Sequence, residues 1–229
     1  MLRPADVARL RKLALFAPMS DAAAERLLAA GLAHHFAAGS ILFRQDELPE
    51  FLHIALDGRV ALKVAAFGRG GLITEFYPAG EPVLLPAHLL DLPFTQLGQL
   101  LDDSRVVLLP MPAFRQLVRE DIKLSTAVVE AISGLAFRLD AKVKQLKTLN
   151  GPQRLAQFIL ETAAGATSHA VVTLPYERRL LATQLGMAPE TISRAFRYLR
   201  DVGVEGHGRE IVVNSIDALR AFVESGLLS

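Results

Sequence analysis

The feature that most constrains this chain is an apolar stripe at alternating spacings of four and three residues: Val118, Ile122, Ser125, Val129, Ile132, Ala136, Leu139, Val143, Leu146 and Asn150. This is a heptad seam, sustained over more than four heptads, and such a seam belongs to a helix that packs against another helix. Gly134 falls on its outer face, where a missing side chain costs about 1 kcal/mol. The pattern predicts a helix over 118–150. At 1.5 Å per residue roughly 30 residues span about 45 Å, more than the width of a small domain, so the helix reaches out of one domain towards another. Arg138, Asp140, Lys142, Lys144 and Lys147 surround the last turns, leaving a narrow stripe that suits a partner helix of the same kind. We therefore expect a parallel homodimer joined through Ile122, Ser125, Val129, Ile132, Ala136, Leu139, Val143 and Leu146. Asn150 is placed to fix the register. The competing reading is an amphipathic helix lying on its own domain.

The chain has 229 residues, of which 51% are hydrophobic, enough for one large or two modest domains with real cores. It has no cysteine, which excludes disulfides, thiolate zinc sites and cysteine-held iron–sulfur clusters. No apolar run reaches the roughly 18 residues of a membrane span, and the N-terminus lacks a signal-peptide core; a cytoplasmic protein with no membrane partner is expected. The net charge of +1 says nothing for nucleic acid. From Gly151 onward eight arginines and no lysine stand against eight acidic residues, so DNA binding has to rest on local arrangement.

Pro4 to Gly31 carries leucines and alanines at helical spacing, with Ser20 and Asp21 as a cap. From Phe36 to Leu109 short apolar runs alternate with Gly, Pro and Asp, predicting strands at 40–43, 51–56, 60–64, 72–77, 83–85 and 104–109 and hence a β-roll or sandwich. Asp57-Gly58 signals a hairpin with a type I′ turn, and Gly68 to Gly71 a second turn. Pro112 opens a short helix, 113–119, ahead of the long one. Gly151-Pro152 ends the long helix and starts the next, 153–164.

A second core begins with the run Val171 to Leu174. Tyr176 to Gly186 reads as a helix with Leu180, Leu181 and Leu185 inward, Gly186-Met187-Ala188 as a tight turn, and Pro189 to Asp201 as a second helix. Two helices joined in this way form a helix-turn-helix. Ile192, Phe196 and Leu199 share one face of the second helix, and Glu190, Ser193, Arg194 and Arg197 lie elsewhere. An arginine can bond guanine O6 and N7, a carboxylate can accept from the cytosine amine, and a small side chain such as Thr191 or Ser193 can meet a thymine methyl. Glu205 to Val213 is a glycine turn between two β-like runs, a wing whose Arg209 and His207 are placed to touch phosphate.

In this order of elements the chain resembles the CRP/FNR superfamily of bacterial transcription regulators. The resemblance covers nearly the whole chain and is carried by Gly39-Ser-Ile-Leu-Phe-Arg-Gln-Asp-Glu and Phe51-Leu-His-Ile-Ala-Leu-Asp-Gly58-Arg-Val, and by Glu190-Thr-Ile-Ser-Arg194. It implies an α+β fold: a β-roll sensor domain of the cyclic-nucleotide-binding, double-stranded jelly-roll type over 1–117, a long dimerisation helix over 118–150, and a winged helix-turn-helix over 151–229. Glu-x-x-Ser-Arg resembles the FNR-type reading pattern and implies that Glu190, Ser193 and Arg194 read TTGAT-like half-sites in double-stranded DNA. It also implies RNA polymerase as a partner. Two positions depart from the pattern. Asp46 replaces the usual Gly, at a position where Asp tolerates a left-handed backbone, and Pro189 precedes the contact residues.

Members of the family that bind cyclic nucleotide hold it with Gly-Glu and Arg-Ser or Arg-Thr, where this chain has Leu84-Leu85 and Thr95-Gln96; an unpaired phosphate in such a pocket is unfavourable, so cyclic nucleotide is not expected. The FNR-type cluster fails with its cysteines. In place of the nucleotide cassette stands an apolar segment with Leu84, Leu85, His88, Leu89, Phe94 and Leu97. It suits a flat apolar effector, and resemblance to the haem-dependent, nitric-oxide-responsive branch makes haem the sharp expectation, linked to nitrosative stress. His88 is the first candidate axial ligand, His53 the second and His34-His35 the third. The alternatives are another small effector, a constitutive regulator, and leucines that simply fill the core. A cupin-like metal enzyme needs His clusters that His34, His35, His53 and His88 do not form by spacing, so no catalysis is expected. A module acting only through protein contacts is disfavoured by the winged helix.

Overall fold

The computed structural model describes residues 1–64, 72–163, 165–174 and 177–225, with only the backbone of Arg179, Pro189 and His207. The turn expected at Gly68 to Gly71 and the start of the helix at Tyr176 lie outside the described residues. The chain forms two compact units, Met1–Phe137 and Arg138–Ser229.

In the first unit, helices α1 (Pro4–Leu10) and α2 (Asp21–Ala29) cover a roll that has seven strands among the described residues. The hydroxyl of Ser20 accepts from the Ala23 N–H, the expected cap of α2. The strands are β1 (Leu32–Phe36), β2 (Ile41–Phe43), β3 (Phe51–Ala55), β4 (Val60–Val64), β5 (Leu72–Tyr77), β6 (Leu97–Leu100) and β7 (Ser104–Pro110). They form two antiparallel sheets, ordered β1-β7-β3 and β2-β6-β4-β5. β3 and β4 therefore belong to different sheets, and Asp57-Gly58 is not the expected hairpin: the Leu56 N–H donates to the Arg105 carbonyl, and Gly58 alone, at φ 72°, is left-handed. The connection crosses between sheets because each strand finds its ladder elsewhere. Asp46 takes φ 68°, so the turn survives without glycine. The run 83–85 is not a strand. It leads from the isolated bridge of Pro82 with Ile54 into helix α3 (Pro86–Leu90). Gly98 on β6 is required by packing, since a Cβ there would stand 2.4 Å from the Phe43 ring.

Helix α4 (Met111–Glu120) buries Met111, Phe114 and Leu117 against the roll and stops at Asp121, whose backbone is extended. Its carboxylate accepts from the N–H groups of Lys123 and Leu124 and from Ser20, capping α5 (Ile122–Thr148) and fastening it to the start of α2. The long helix is thus shorter than the expected 118–150 at both ends. Val118 belongs to α4, and Asn150 caps helix α6 (Gly151–Thr162) in a reciprocal pair with Gln153. Asn150 is therefore committed to a cap and does not set a seam register.

In the second unit, strand β8 (Ala170–Thr173), helices α7 (Arg178–Gln184) and α8 (Pro189–Leu199), a short 3-10 turn (Arg200–Val202), strands β9 (Val204–His207) and β10 (Glu210–Val213) and helix α9 (Ile216–Ser225) follow α6. The sheet is ordered β8-β10-β9, and its core includes Leu155, Ile159, Leu181, Ile192, Leu199, Ile211 and Leu219.

Candidate DNA-binding surface and sensor core

Helix α8 opens on Pro189 and sorts its side chains sharply. Ile192, Ala195, Phe196 and Leu199 are buried, whereas Glu190, Ser193, Arg194 and Arg197 are exposed and Thr191 is half-buried. The four exposed residues fall within about one third of the helix circumference, since each step turns the chain by about 100°. Gly186 at φ 63° makes the turn between α7 and α8. The turn is held from α6: Arg154 donates from Nε to the Leu185 carbonyl (2.9 Å) and from Nη1 to the Leu149 carbonyl (2.8 Å). Burial lowers the Arg154 pKa from its ordinary value.

β9 and β10 form the wing as a two-residue hairpin, His207 pairing with Glu210, with Gly208 at φ 62° in the turn. Arg209 is exposed, and its Nε donates to the Leu174 carbonyl at 2.8 Å, which aims the rest of the guanidinium. The His207 side chain lies outside what is described. Arg154 and Arg178 were not singled out from the sequence. Each acts on backbone or rings far along the chain, a relation that no local spacing shows.

In the first unit the segment expected to hold an effector is packed into the roll. Leu84, His88 and Phe94 are buried and Leu85, Leu89 and Leu97 half-buried, Leu97 on the unforeseen strand β6. Phe43 stacks on Phe94 with centroids 4.1 Å apart, His53 lies 5.3 Å from Phe43, and His88 meets Phe94 edge-on at 5.1 Å. Both histidines are kept neutral, chiefly by burial: His53 is lowered to about 3 and His88 to about 4. His88 Nδ1 accepts from the Leu85 N–H at 3.1 Å, capping α3. The neutral ring then carries its proton on Nε2. That leaves no lone pair on Nε2 for a metal, which counts against His88 as the axial ligand. His53 Nδ1 is buried and unbonded. His34 and His35 are exposed on β1. A cavity of about 580 Å³ opens elsewhere, beside α1 and α2, lined by Leu2, Val7, Ala24, Glu25 and Leu28 among others. Among the described residues no group of three potential metal ligands converges.

Helix α5 presents two apolar stripes. Leu124, Ala127, Val128 and Leu135 are buried. Ile122, Val129, Ala136, Leu139, Val143 and Leu146 are exposed in the single chain, and Ser125 and Ile132 are half-buried. One stripe thus packs down on core residues, and the seam beside it stays largely exposed in the single chain.

Residues 153–222 match the family model for a Crp-like helix-turn-helix domain. The chain carries a Crp-like helix-turn-helix. The chain is also similar to the transcriptional activator protein FnrA of Stutzerimonas stutzeri, 26% identical over 155 residues, covering 65% of this chain and 57% of the relative. The match thus spans little more than half of that relative's length. A cyclic-nucleotide-binding-type protein of Ruegeria pomeroyi is 29% identical over 98% of this chain and 99% of its own, with a TM-score of 0.58. A CooA variant of Carboxydothermus hydrogenoformans, 18% identical over 86% of this chain and 89% of its own, has a TM-score of 0.73 and shows the shared fold. Together these show a Crp-like helix-turn-helix over residues 153–222 and a fold shared with the solved structures. No described helix is long and apolar enough to cross a membrane.

Proposed function

We propose that the regulator is a homodimer that reads FNR-like palindromes of TTGAT-type half-sites and acts with RNA polymerase. The observation that carries this is the sorting of α8, whose buried face is apolar while Glu190, Ser193, Arg194 and Arg197 turn outward. The bare seam of Ile122, Val129, Leu139, Val143 and Leu146 supports the dimer, because two recognition helices must sit about 34 Å apart to enter successive major grooves. A mobility-shift titration against the palindrome and a scrambled control tests the reading. Arg194→Ala is expected to weaken binding by about 1–3 kcal/mol, roughly 5- to 150-fold, and to relax the guanine preference. Equal affinity and selectivity in the variant would remove Arg194 from the reading face.

For the signal we propose an apolar effector in the roll, haem with nitric oxide in the first place, and cyclic nucleotide not among the candidates. What supports the apolar character of the effector is the segment's own make-up, with Phe43, Phe94 and leucines and, among the described residues, no cationic side chain in that cluster. His53 Nδ1 and His88 Nε2 are both buried and unbonded, but with its Nδ1 accepting from the Leu85 N–H the His88 ring holds its proton on Nε2, so His53 replaces His88 as the residue to hold iron. Haem would supply the gas-binding chemistry. Titration of purified protein with haem, followed by absorption with and without nitric oxide, is expected to change in His53→Ala more than in His88→Ala. A spectrum matching free haem would turn the search to another effector or to constitutive binding.

A further inference from the structure

Arg178, the first residue of α7, touches both other parts of the DNA-binding unit. Its Nη2 donates to the Gly206 carbonyl on β9 at 3.1 Å, and its guanidinium carbon lies 4.2 Å from the centre of the Phe196 ring on α8. One side chain therefore bridges the first helix, the recognition helix and the wing. Phe196 is on the buried face of α8, away from Glu190, Arg194 and Arg197. Gly206 leaves no slack on the other side: at φ 151°, a Cβ there would stand 2.2 Å from the Glu210 carbonyl oxygen. The planar guanidinium can lie flat on an aromatic face and donate from its edge at the same time, which an ammonium cannot do.

We infer that Arg178 is a positioning residue that fixes the wing against the recognition helix, so that base contacts by α8 and phosphate contacts by the wing are made together without reordering. Preorganisation of this kind raises affinity by lowering the ordering cost of binding. The inference rests on the DNA-binding reading above, and it differs in its consequences from a direct phosphate contact by Arg178. A phosphate contact survives Arg→Lys, and its loss lowers the salt dependence of binding by about one counterion per contact. A positioning role is not rescued by Lys and leaves that slope unchanged.

The test uses the full chain with Arg178→Lys, Arg178→Met and the mild variant Phe196→Leu. Two readouts are taken: affinity for the palindrome across a salt series, and hydrogen exchange of the β9 and β10 amides without DNA. Each variant is expected to bind about tenfold more weakly, the loss for one partly buried cation–π contact with one hydrogen bond. The salt slope stays as in the wild type, wing exchange becomes faster, and the double variant Arg178→Met with Phe196→Leu loses less than the two single losses combined. Rescue by Arg178→Lys, a slope lowered in Arg178→Met, or unaltered wing exchange would each overturn the inference. Failure of the wild type itself to select the palindrome would sink the proposed function, while wing exchange would still decide the role of Arg178.

Discussion

Replacing Asp6 by Asn should loosen α1 from the roll, and the structure gives the size of the effect. Asp6 accepts from Arg105 on β7 through both oxygens, at 3.0 Å to Nε and 2.6 Å to Nη2, and from the Arg3 N–H at 2.9 Å. The two side chains are only 7% and 10% exposed, so water screens the pair weakly. The Arg105 guanidinium, bonded to the carboxylate, holds its pKa at about 2 against an ordinary 3.8. That difference corresponds to about 2 kcal/mol, and stranding a buried guanidinium adds to it, since breaking a buried pair from one side costs about 3–5 kcal/mol. We expect Asp6→Asn to destabilise the first unit by about 2–4 kcal/mol at pH 7. The chain has no tryptophan and two units that need not unfold together, so the assay is hydrogen exchange of peptides from α1 and β7 across a urea series. Because the folded pKa lies below the unfolded one, the stabilisation is complete well above pH 3.8 and is lost as pH falls through 3.8 towards 2. Equal stability of variant and wild type at pH 7, or a difference that persists undiminished at pH 2, would refute the reasoning.

Val129→Glu places a charge in the exposed seam of α5; sedimentation is expected to show a dimer for the wild type, as proposed, and a monomer for the variant, and a variant dimer of unchanged affinity would exclude the seam as the interface. His53 and His88 are neutral in the fold but charge readily in the unfolded chain, whose ordinary value is 6.5. Stability of the first unit is therefore full above about pH 6.5 and falls as acid is added, and His53→Leu should flatten that fall in an acid denaturation series. Gly98→Ala drives a methyl into Phe43, so a melting temperature lowered by several degrees is expected by circular dichroism, with wild-type stability as the contrary result.

The helix-turn-helix was legible because its signals are local: Pro189 at a first turn, apolar residues at spacings of three and four, and charged residues on the opposite face. The seam was legible for the same reason, and its two faces show why the choice between dimer helix and covering helix was hard to make from spacing alone. Where partners are distant the reading failed. β1 was missed because His34 and His35 break its apolar alternation on an exposed strand, and β6 because its four residues include Gly98 and read as pocket leucines. Asp57-Gly58 carries the residues of a tight hairpin, yet pairing with β7, β6 and β5 decided where its flanking strands went. The tautomer of His88 was likewise out of reach, since it depends on an N–H three residues back that only the α3 turn brings within range.

Arg154 bonds at once to Leu149, just past the end of α5, and to Leu185 at the mouth of the α7–α8 turn. Leu149 is itself buried in the second core, and Leu146 lies close beside Gly186. The last turn of α5 is thus geared to the reading head: Leu146, Leu149 and Arg154 tie it to the α7–α8 turn, so the end of this helix and the start of α8 are held as one piece.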